Sequence, residues 1–155
     1  MALGIVLAVL LAGGGWLAGR FGVGAAIAPS SLPQVEREFA ERMRNVKLVG
    51  TFTVDGREPR PPRDDGYEID SVEKVGEGQW RFNARFGRFN TTIPIVVPLR
   101  FVGDTPVIMM TDTPLPIVGT FTVRLFFYGD RYAGTWQHGE VGGQMSGRIE
   151  RRTGS

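Results

Sequence analysis

Residues 119–138, GTFTVRLFFYGDRYAGTWQH, alternate between apolar and polar side chains with a period of two. The apolar series consists of Phe121, Val123, Leu125 and Phe127, and Thr122 and Arg124 lie between its first three members. A period of two is typical of an extended strand with one dry face. Gly129-Asp130 then supplies a tight turn, so this stretch predicts two antiparallel strands joined as a hairpin.

The same alternation continues through the rest of the chain from Val46 onwards, interrupted by short glycine-containing turns. Consecutive strands with tight turns form a meander, and eight of them suffice to close a barrel. The sequence therefore predicts a mainly β fold, an eight-stranded antiparallel meander barrel, with a strongly curved sheet or a sandwich as the alternative. The predicted strands are 46–55, 66–75, 79–87, 90–102, 105–112, 119–129, 131–138 and 143–151.

Two longer interruptions break the pattern. Residues 56–65 contain three prolines, which remove backbone donors, so we expect an exposed loop there. Residues 112–118 are predicted as a second loop, unusually apolar because it carries Leu115, Ile117 and Val118. These side chains are expected either to cap one barrel end or to face a partner. The glycine-rich stretches are assigned to hairpin turns or to the N-terminal segment.

The N-terminal segment, residues 1–29, differs from everything that follows. No charge occurs from Ala2 to Gly19, and eighteen helical residues span roughly 27 Å, close to the thickness of a bilayer core. A positively charged start, typical of a cleaved signal, is missing. We therefore expect an uncleaved anchor in a bacterial cell membrane with an extracytoplasmic domain; secretion after signal cleavage is the alternative.

Residues 30–45 are predicted to form an amphipathic connector helix. Leu32, Val35, Phe39 and Met43 recur at spacings of three and four, and charged residues occupy most of the other positions. The apolar stripe is expected to pack on the following domain, residues 46–152, which holds the predicted barrel.

Composition excludes several classes of protein. Of 155 residues, 42% are hydrophobic and 22% charged, which excludes a disordered chain and a polytopic membrane protein. The 18 basic and 16 acidic residues nearly balance, so nucleic acid is not an expected partner. Cysteine is absent, which removes disulfides and thiolate chemistry together.

Catalytic motifs are also missing, and we expect neither an enzyme nor a bound metal or cofactor. His138 is the only histidine and falls at a predicted turn. The carboxylate pairs Asp64-Asp65 and Glu68-Asp70 lack the apolar surroundings that would separate an acid from a base. A small hydrolase using Asp64, Glu68 or His138 remains the alternative, as does a purely structural scaffold for a protein partner.

Two sets of residues are candidates for binding. If the barrel holds a small apolar ligand, we expect the inward-facing side chains to line its cavity: Trp80, Phe82, Val97, Leu99, Phe121, Leu125 and Trp136. Basic residues are almost all arginine, and five lie on the polar faces of predicted strands, where they could contact anionic lipid or an acidic glycan: Arg81, Arg85, Arg100, Arg124 and Arg148. Pairing with nearby acids would instead make this a solvated charged face.

A short motif carries two resemblances. Residues 128–136, followed by Gly142-Gly143 and residues 147–149, resemble exported bacterial proteins of unassigned function. Gly134-Thr135-Trp136 is similar to the Gly-x-Trp element of lipocalin and avidin-type barrels, which implies a calycin-type architecture. In those families the element lies in the first strand, whereas here it lies near the C-terminus. Gly134 is expected to let the indole fold across the neighbouring strand. The sequence thus favours a membrane-tethered β-barrel that acts as a binding or interaction module.

Overall fold

A computed structural model describes residues 24–56, 67–85, 91–115 and 119–153. A 3₁₀ turn at Pro29–Ser31 precedes one α-helix, α1 (Gln34–Arg42). Eight strands follow: β1 (Val46–Phe52), β2 (Tyr67–Gly76), β3 (Gln79–Arg85), β4 (Ile93–Val102), β5 (Thr105–Leu115), β6 (Gly119–Tyr128), β7 (Arg131–His138) and β8 (Val141–Arg151).

The strands form a closed antiparallel barrel in sequence order. Closure is made by β1 and β8, which pair from Val46 opposite Arg151 to Phe52 opposite Met145. The predicted meander barrel is confirmed, and the alternatives of an open sheet or a sandwich are excluded. Glycines with positive φ occupy four of the hairpin turns, as the turn pattern predicted: Gly78, Gly103, Gly129 and Gly139.

Strand β5 is longer than predicted. It continues to Leu115 through a register shift between Met110 and Thr113, where Asp112 has φ of 45°. A bulge of this kind leaves extra residues in one strand and interrupts the alternation, so the sequence suggested a loop from 112. Leu115 pairs with Gly119 at the start of β6 and therefore belongs to the strand.

Strand β8 begins at Val141 rather than 143, so Gly142 lies in the strand and not in the predicted turn. Gly134, Gly143 and Gly147 lie within strands, as the predicted limits of β7 and β8 imply. A Cβ atom on Gly134 would collide with the backbone carbonyl of Arg124 on β6. Close approach of β6 and β7, rather than space for an indole ring, is therefore what requires this glycine.

Helix α1 closes one end of the barrel, which we call the closed end. Phe39 and Met43 are the buried residues of the helix and its C-cap, and Lys74 of β2 donates to Glu36 at 2.8 Å. The helix is shorter than the predicted connector 30–45 because residues 29–31 form a 3₁₀ turn and Pro33 precedes the first helical residue. The turns β2–β3, β4–β5 and β6–β7 lie at this end; we call the opposite one the far end.

The strands are strongly staggered. Strand β4 pairs with β3 through residues 93–98, but with β5 only through residues 99–102. The amide of Leu99 donates to the carbonyl of Gly78 in the β2–β3 turn, so the nitrogens of Pro94 and Pro98 point to the other side of β4, towards β5. A proline nitrogen carries no hydrogen to donate, which agrees with the short pairing between β4 and β5. In a closed barrel, stagger, tilt and width are linked, and eight strands can hold one small ligand.

Some predicted segments lie outside the described residues. They are the N-terminal stretch 1–23, most of the proline-rich loop 56–65, and Ile117 and Val118. In the part of the chain that the structure does describe, no helix has the length and apolar composition needed to cross a bilayer.

Candidate binding site in the barrel interior

The interior begins with a dense floor at the closed end. The ring of Phe39 lies 5.8 Å from Trp80, 5.8 Å from Phe101 and 5.6 Å from Phe127, measured between centroids. Met43 completes this layer and is fully buried. No ligand can pass through such a layer without unpacking the helix.

Along β1 and β6 the burial of the inward side chains decreases from the floor towards the far end, whereas Met110 of β5, opposite Val123, is 4% exposed. Trp80 and Leu99 are 1% exposed, whereas Phe82, Val97 and Leu125 in the middle are 6–7% exposed. Next to the far end, Val123 and Met145 are only half-buried, and Phe52 is 47% exposed. The inner wall is therefore most accessible at the end that the helix does not cover.

The seven predicted lining residues all lie on strands that enclose the interior, but at three levels. Trp80 and Leu99 belong to the floor, while Phe82, Val97 and Leu125 form the middle. Phe121 and Trp136 are half-buried near the far end. A ligand that enters from the far end would meet the last two first and the middle three next. Trp80 and Leu99 close the bottom.

Among the inward side chains that the structure describes, Trp136 is the one with a buried polar atom that lacks a hydrogen-bond partner. It lies opposite Val123 and Gly143 in the register, and its ring meets Phe52 edge-on at 6.0 Å. Its Nε1 atom is buried and has no hydrogen-bond partner within the described ranges. Leaving a buried donor unpaired costs about 1–3 kcal/mol, so an acceptor placed beside it would be bound favourably.

Two tyrosines add polar groups to the same wall. Tyr132 is 4% exposed, and burial, aided by the charge of Tyr67, raises the pKa of its hydroxyl. Burial likewise raises the pKa of Tyr67. Both phenols are therefore neutral at pH 7 and able to donate.

Glycines make room for the Tyr132 ring. Cβ atoms on Gly50 and Gly147 would lie 2.5 and 2.7 Å from its hydroxyl oxygen. Tyr132 was not among the lining residues predicted from the sequence. Its two-residue spacing from Gly134 and Trp136, which places all three on one face of β7, was the available signal.

The rim of the far end is aromatic. Phe121 stacks on His138 with 4.7 Å between ring centroids and 26° between ring planes. The imidazole is exposed, and Gly119, with φ of 98°, lies against it. Of the other two residues suggested for a hydrolase, Asp64 lies outside the described residues. Glu68 lies on β2, which is not adjacent to β7, so the structure does not bring it to His138.

The carboxylates of β2 form a charge network on the outer wall. Arg152 contacts Glu68 at 2.8 Å and Asp70 at 2.5 Å, and Arg85 contacts Asp70 at 2.9 Å. Desolvation raises the pKa of Asp70, but hydrogen bonds from Thr92, Arg85 and Arg152 and the charge of Arg85 outweigh it. The pKa falls from 3.8 to about 2. The ion pairs of Asp70 with Arg152 and Arg85 therefore hold the chain directly after β8 against β2 and β3.

The five predicted surface arginines lie on β3, β4, β6 and β8. Arg81 pairs with Glu73 and Arg85 with Asp70, so both belong to the charge network of β2 and β3. Arg124 donates to the carbonyl of Met110 and holds the bulge of β5. Arg100 and Arg148 are exposed. Because β5 and β7 lie between these strands, the five do not form one stripe.

Among the described residues, no group of three or more histidine or carboxylate side chains is arranged to hold a metal ion. Comparison with protein families, with curated proteins and with solved structures finds no match.

Proposed function

We propose that this protein is a membrane-tethered binding protein whose barrel takes up one small, mainly apolar ligand that carries a hydrogen-bond acceptor. The observation that carries the proposal is the buried and unpaired Nε1 of Trp136 in an apolar interior. Ligand sites are typically apolar cavities with a few polar groups that fix orientation.

The shape of the interior supports access from the far end. The floor around Phe39 blocks the closed end, and the wall along β1 and β6 becomes more exposed with distance from it. A ligand would therefore slide in past the rim formed by Phe121 and His138. Its apolar part would rest on the middle layer, and its polar group would stop near Trp136.

The donors on the wall define the ligand class. The indole N–H of Trp136 and the neutral phenol of Tyr132 offer hydrogen bonds without a positive charge, which suits a carbonyl or carboxyl group better than a phosphate. Lys74, which lies opposite Trp80 of the floor, is already bound to Glu36. We therefore favour a single-chain amphiphile with a carbonyl or carboxyl head over a polyanionic ligand.

The tether in this proposal is the uncharged stretch from Ala2 to Gly19, and the barrel lies on the extracytoplasmic side. A bilayer-spanning length of apolar sequence supports the anchor. Ligands of the proposed class dissolve poorly in water, so a carrier attached to a membrane would hold them where they are made or used.

Decanoate binding to the full chain in lipid nanodiscs tests the proposal, with empty nanodiscs as the blank. We expect saturable binding that Trp136→Phe weakens about three- to tenfold, since one hydrogen bond is worth roughly 0.5–1.5 kcal/mol. Val123→Trp, which fills the interior beside Trp136, should abolish binding. Thr135→Trp places the same side chain on the outer face of β7 and should leave binding unchanged. Binding that neither Trp136→Phe nor Val123→Trp alters, or that Thr135→Trp weakens as much as Val123→Trp does, would refute the proposed site.

A further inference from the structure

We infer that the closed end of the barrel rests on the membrane surface, with the tips of two hairpins in the lipid headgroup layer. The inference rests on the tether of the proposed function and adds an orientation to it. The two tips are the ends of β4 and β6, at Val102 and Tyr128.

The two tips expose large apolar side chains, which contribute nothing to stability as long as they face water. Val102 is 69% and Tyr128 68% exposed, the highest values among the described large hydrophobic residues. Each is followed by a glycine with positive φ, so each projects from a tight turn at the closed end. Tyrosine in particular favours the boundary between water and lipid, because its ring is apolar and its hydroxyl polar.

The apolar surface continues a short way up the outer wall. Phe126, two residues before Tyr128, is 46% exposed and lies opposite Val107 of β5. Met109, also on β5, is 49% exposed. Together with the two tips, these side chains form an apolar patch on strands β4 to β6, and such patches mark interaction sites.

Exposed arginines lie in the same half of the barrel as the patch. Arg100 lies on β4, one of the strands of the patch, whereas Arg131 lies on β7 and Arg148 and Arg151 lie on β8. Of these four, only Arg131 has an ion pair within the described ranges, with Asp130 at 3.8 Å, and Arg151 donates to the carbonyl of Arg44 at 2.8 Å. Exposed arginines are attracted to an anionic leaflet. Asp104 and Asp130 in the turns resist deeper insertion, so the tips should stop among the headgroups.

The path of the chain requires the closed half to lie near the anchor. Gly24 lies against Val75 of β2, its carbonyl accepts from Arg81, and the amide of Ile27 donates to Lys74. These contacts lie in the half of β2 and β3 nearest the closed end. The five peptide steps from Gly19 to Gly24 reach at most about 18 Å. The short link to the anchor therefore brings a bilayer within reach of the closed end, and the bilayer is the occupant that we assign to the patch.

This orientation points the far end away from the bilayer. The interior would then open to water rather than to the lipid beneath.

Single-cysteine spin labels test the orientation, because the natural chain contains no cysteine. Val102→Cys and Tyr128→Cys report on the tips. Val141→Cys is the matched control, since Val141 is 46% exposed at the far end. Each labelled full-length chain is placed, one copy per disc, in nanodiscs of phosphatidylcholine with phosphatidylglycerol. Accessibility to oxygen and to a water-soluble nickel chelate is then measured by power saturation.

We expect both tip labels to be at least threefold less accessible to the nickel chelate than the control label. All three labels equally accessible to nickel would overturn the inference while leaving the tether intact, as would a control label protected in place of the tips. Dipolar broadening at the tips in discs holding two copies would identify a second copy of the chain as the occupant and would also overturn it. Failure of the chain to associate with discs at all would refute the tether itself. Decanoate binding is measured separately and depends on neither result.

Discussion

The ring of Phe39 meets that of Trp80 edge-on, with 5.8 Å between centroids and 77° between planes. This contact joins the only α-helix of the described chain to the floor of the barrel. Phe39→Ala would leave a cavity in a layer that is almost fully buried, and we expect a loss of about 3–5 kcal/mol in the free energy of unfolding. Urea denaturation followed by circular dichroism measures it.

The neighbouring exposed position supplies the control for this prediction. Glu38→Ala removes a solvent-exposed side chain from the same helix and should change stability by less than about 0.5 kcal/mol. Equal losses for Phe39→Ala and Glu38→Ala would mean that the helix contributes little by packing against the barrel.

Gly134 lies where β6 and β7 approach each other too closely for a side chain on β7. We expect Gly134→Ala to destabilise the protein by at least about 2 kcal/mol, since the added methyl group collides with the backbone of Arg124 and Leu125. Gly76→Ala is the matched control, because its Cβ would lie 3.6 Å from Gln79, an ordinary contact. Melting temperatures of the two variants give the comparison; a Gly134→Ala protein as stable as Gly76→Ala would contradict the close approach.

The Asp70 carboxylate gives the protein a defined response to acid. Its pKa is lowered from 3.8 to about 2 in the folded state, so its ion pairs stabilise the fold fully above about pH 5. That stabilisation disappears as the pH falls from about 4 to 2. After allowance for partial exposure, its size is on the order of 1–2 kcal/mol.

Replacement of this carboxylate tests the pH response. Asp70→Asn should be less stable than the natural protein at pH 7 by on the order of 1–2 kcal/mol, and the difference should shrink towards zero below pH 2. Glu77→Gln, in the exposed β2–β3 turn, is the control and should change stability at pH 7 by less than about 0.5 kcal/mol. A difference between Asp70→Asn and the natural protein that stays constant from pH 7 to pH 2 would show that charge at Asp70 is not its cause.

Most of the fold could be predicted because its signals are local. Alternation and turn glycines fix the number and approximate limits of the strands, as the hairpin from Gly119 to His138 illustrates. The bulge after Met110 escaped prediction because extra residues in one strand disrupt the alternation on which the prediction depends. Closure was predicted from the number of strands alone, because β1 and β8 meet across about a hundred residues of chain and no local pattern shows their pairing.

The candidate site was predictable only in part. Period-two spacing placed Trp136 and Phe121 on the inner face, but it does not say how far along the barrel axis a residue lies. Which end α1 covers depends on packing of Phe39 among rings from three distant strands. The role of Tyr132 depends likewise on glycines of β1 and β8 that only the folded barrel brings beside it.

The central claim is that an acceptor on a ligand pairs with Nε1 of Trp136 inside the barrel. The most direct measurement is the indole ¹⁵N–¹H spectrum of the tryptophan-labelled full chain, titrated with decanoate, with the Trp136 signal assigned from its absence in Trp136→Phe. We expect that signal to move downfield in proton shift and to saturate, while the Trp80 signal from the floor changes little. A Trp136 signal that stays in place at saturating decanoate would contradict the claim.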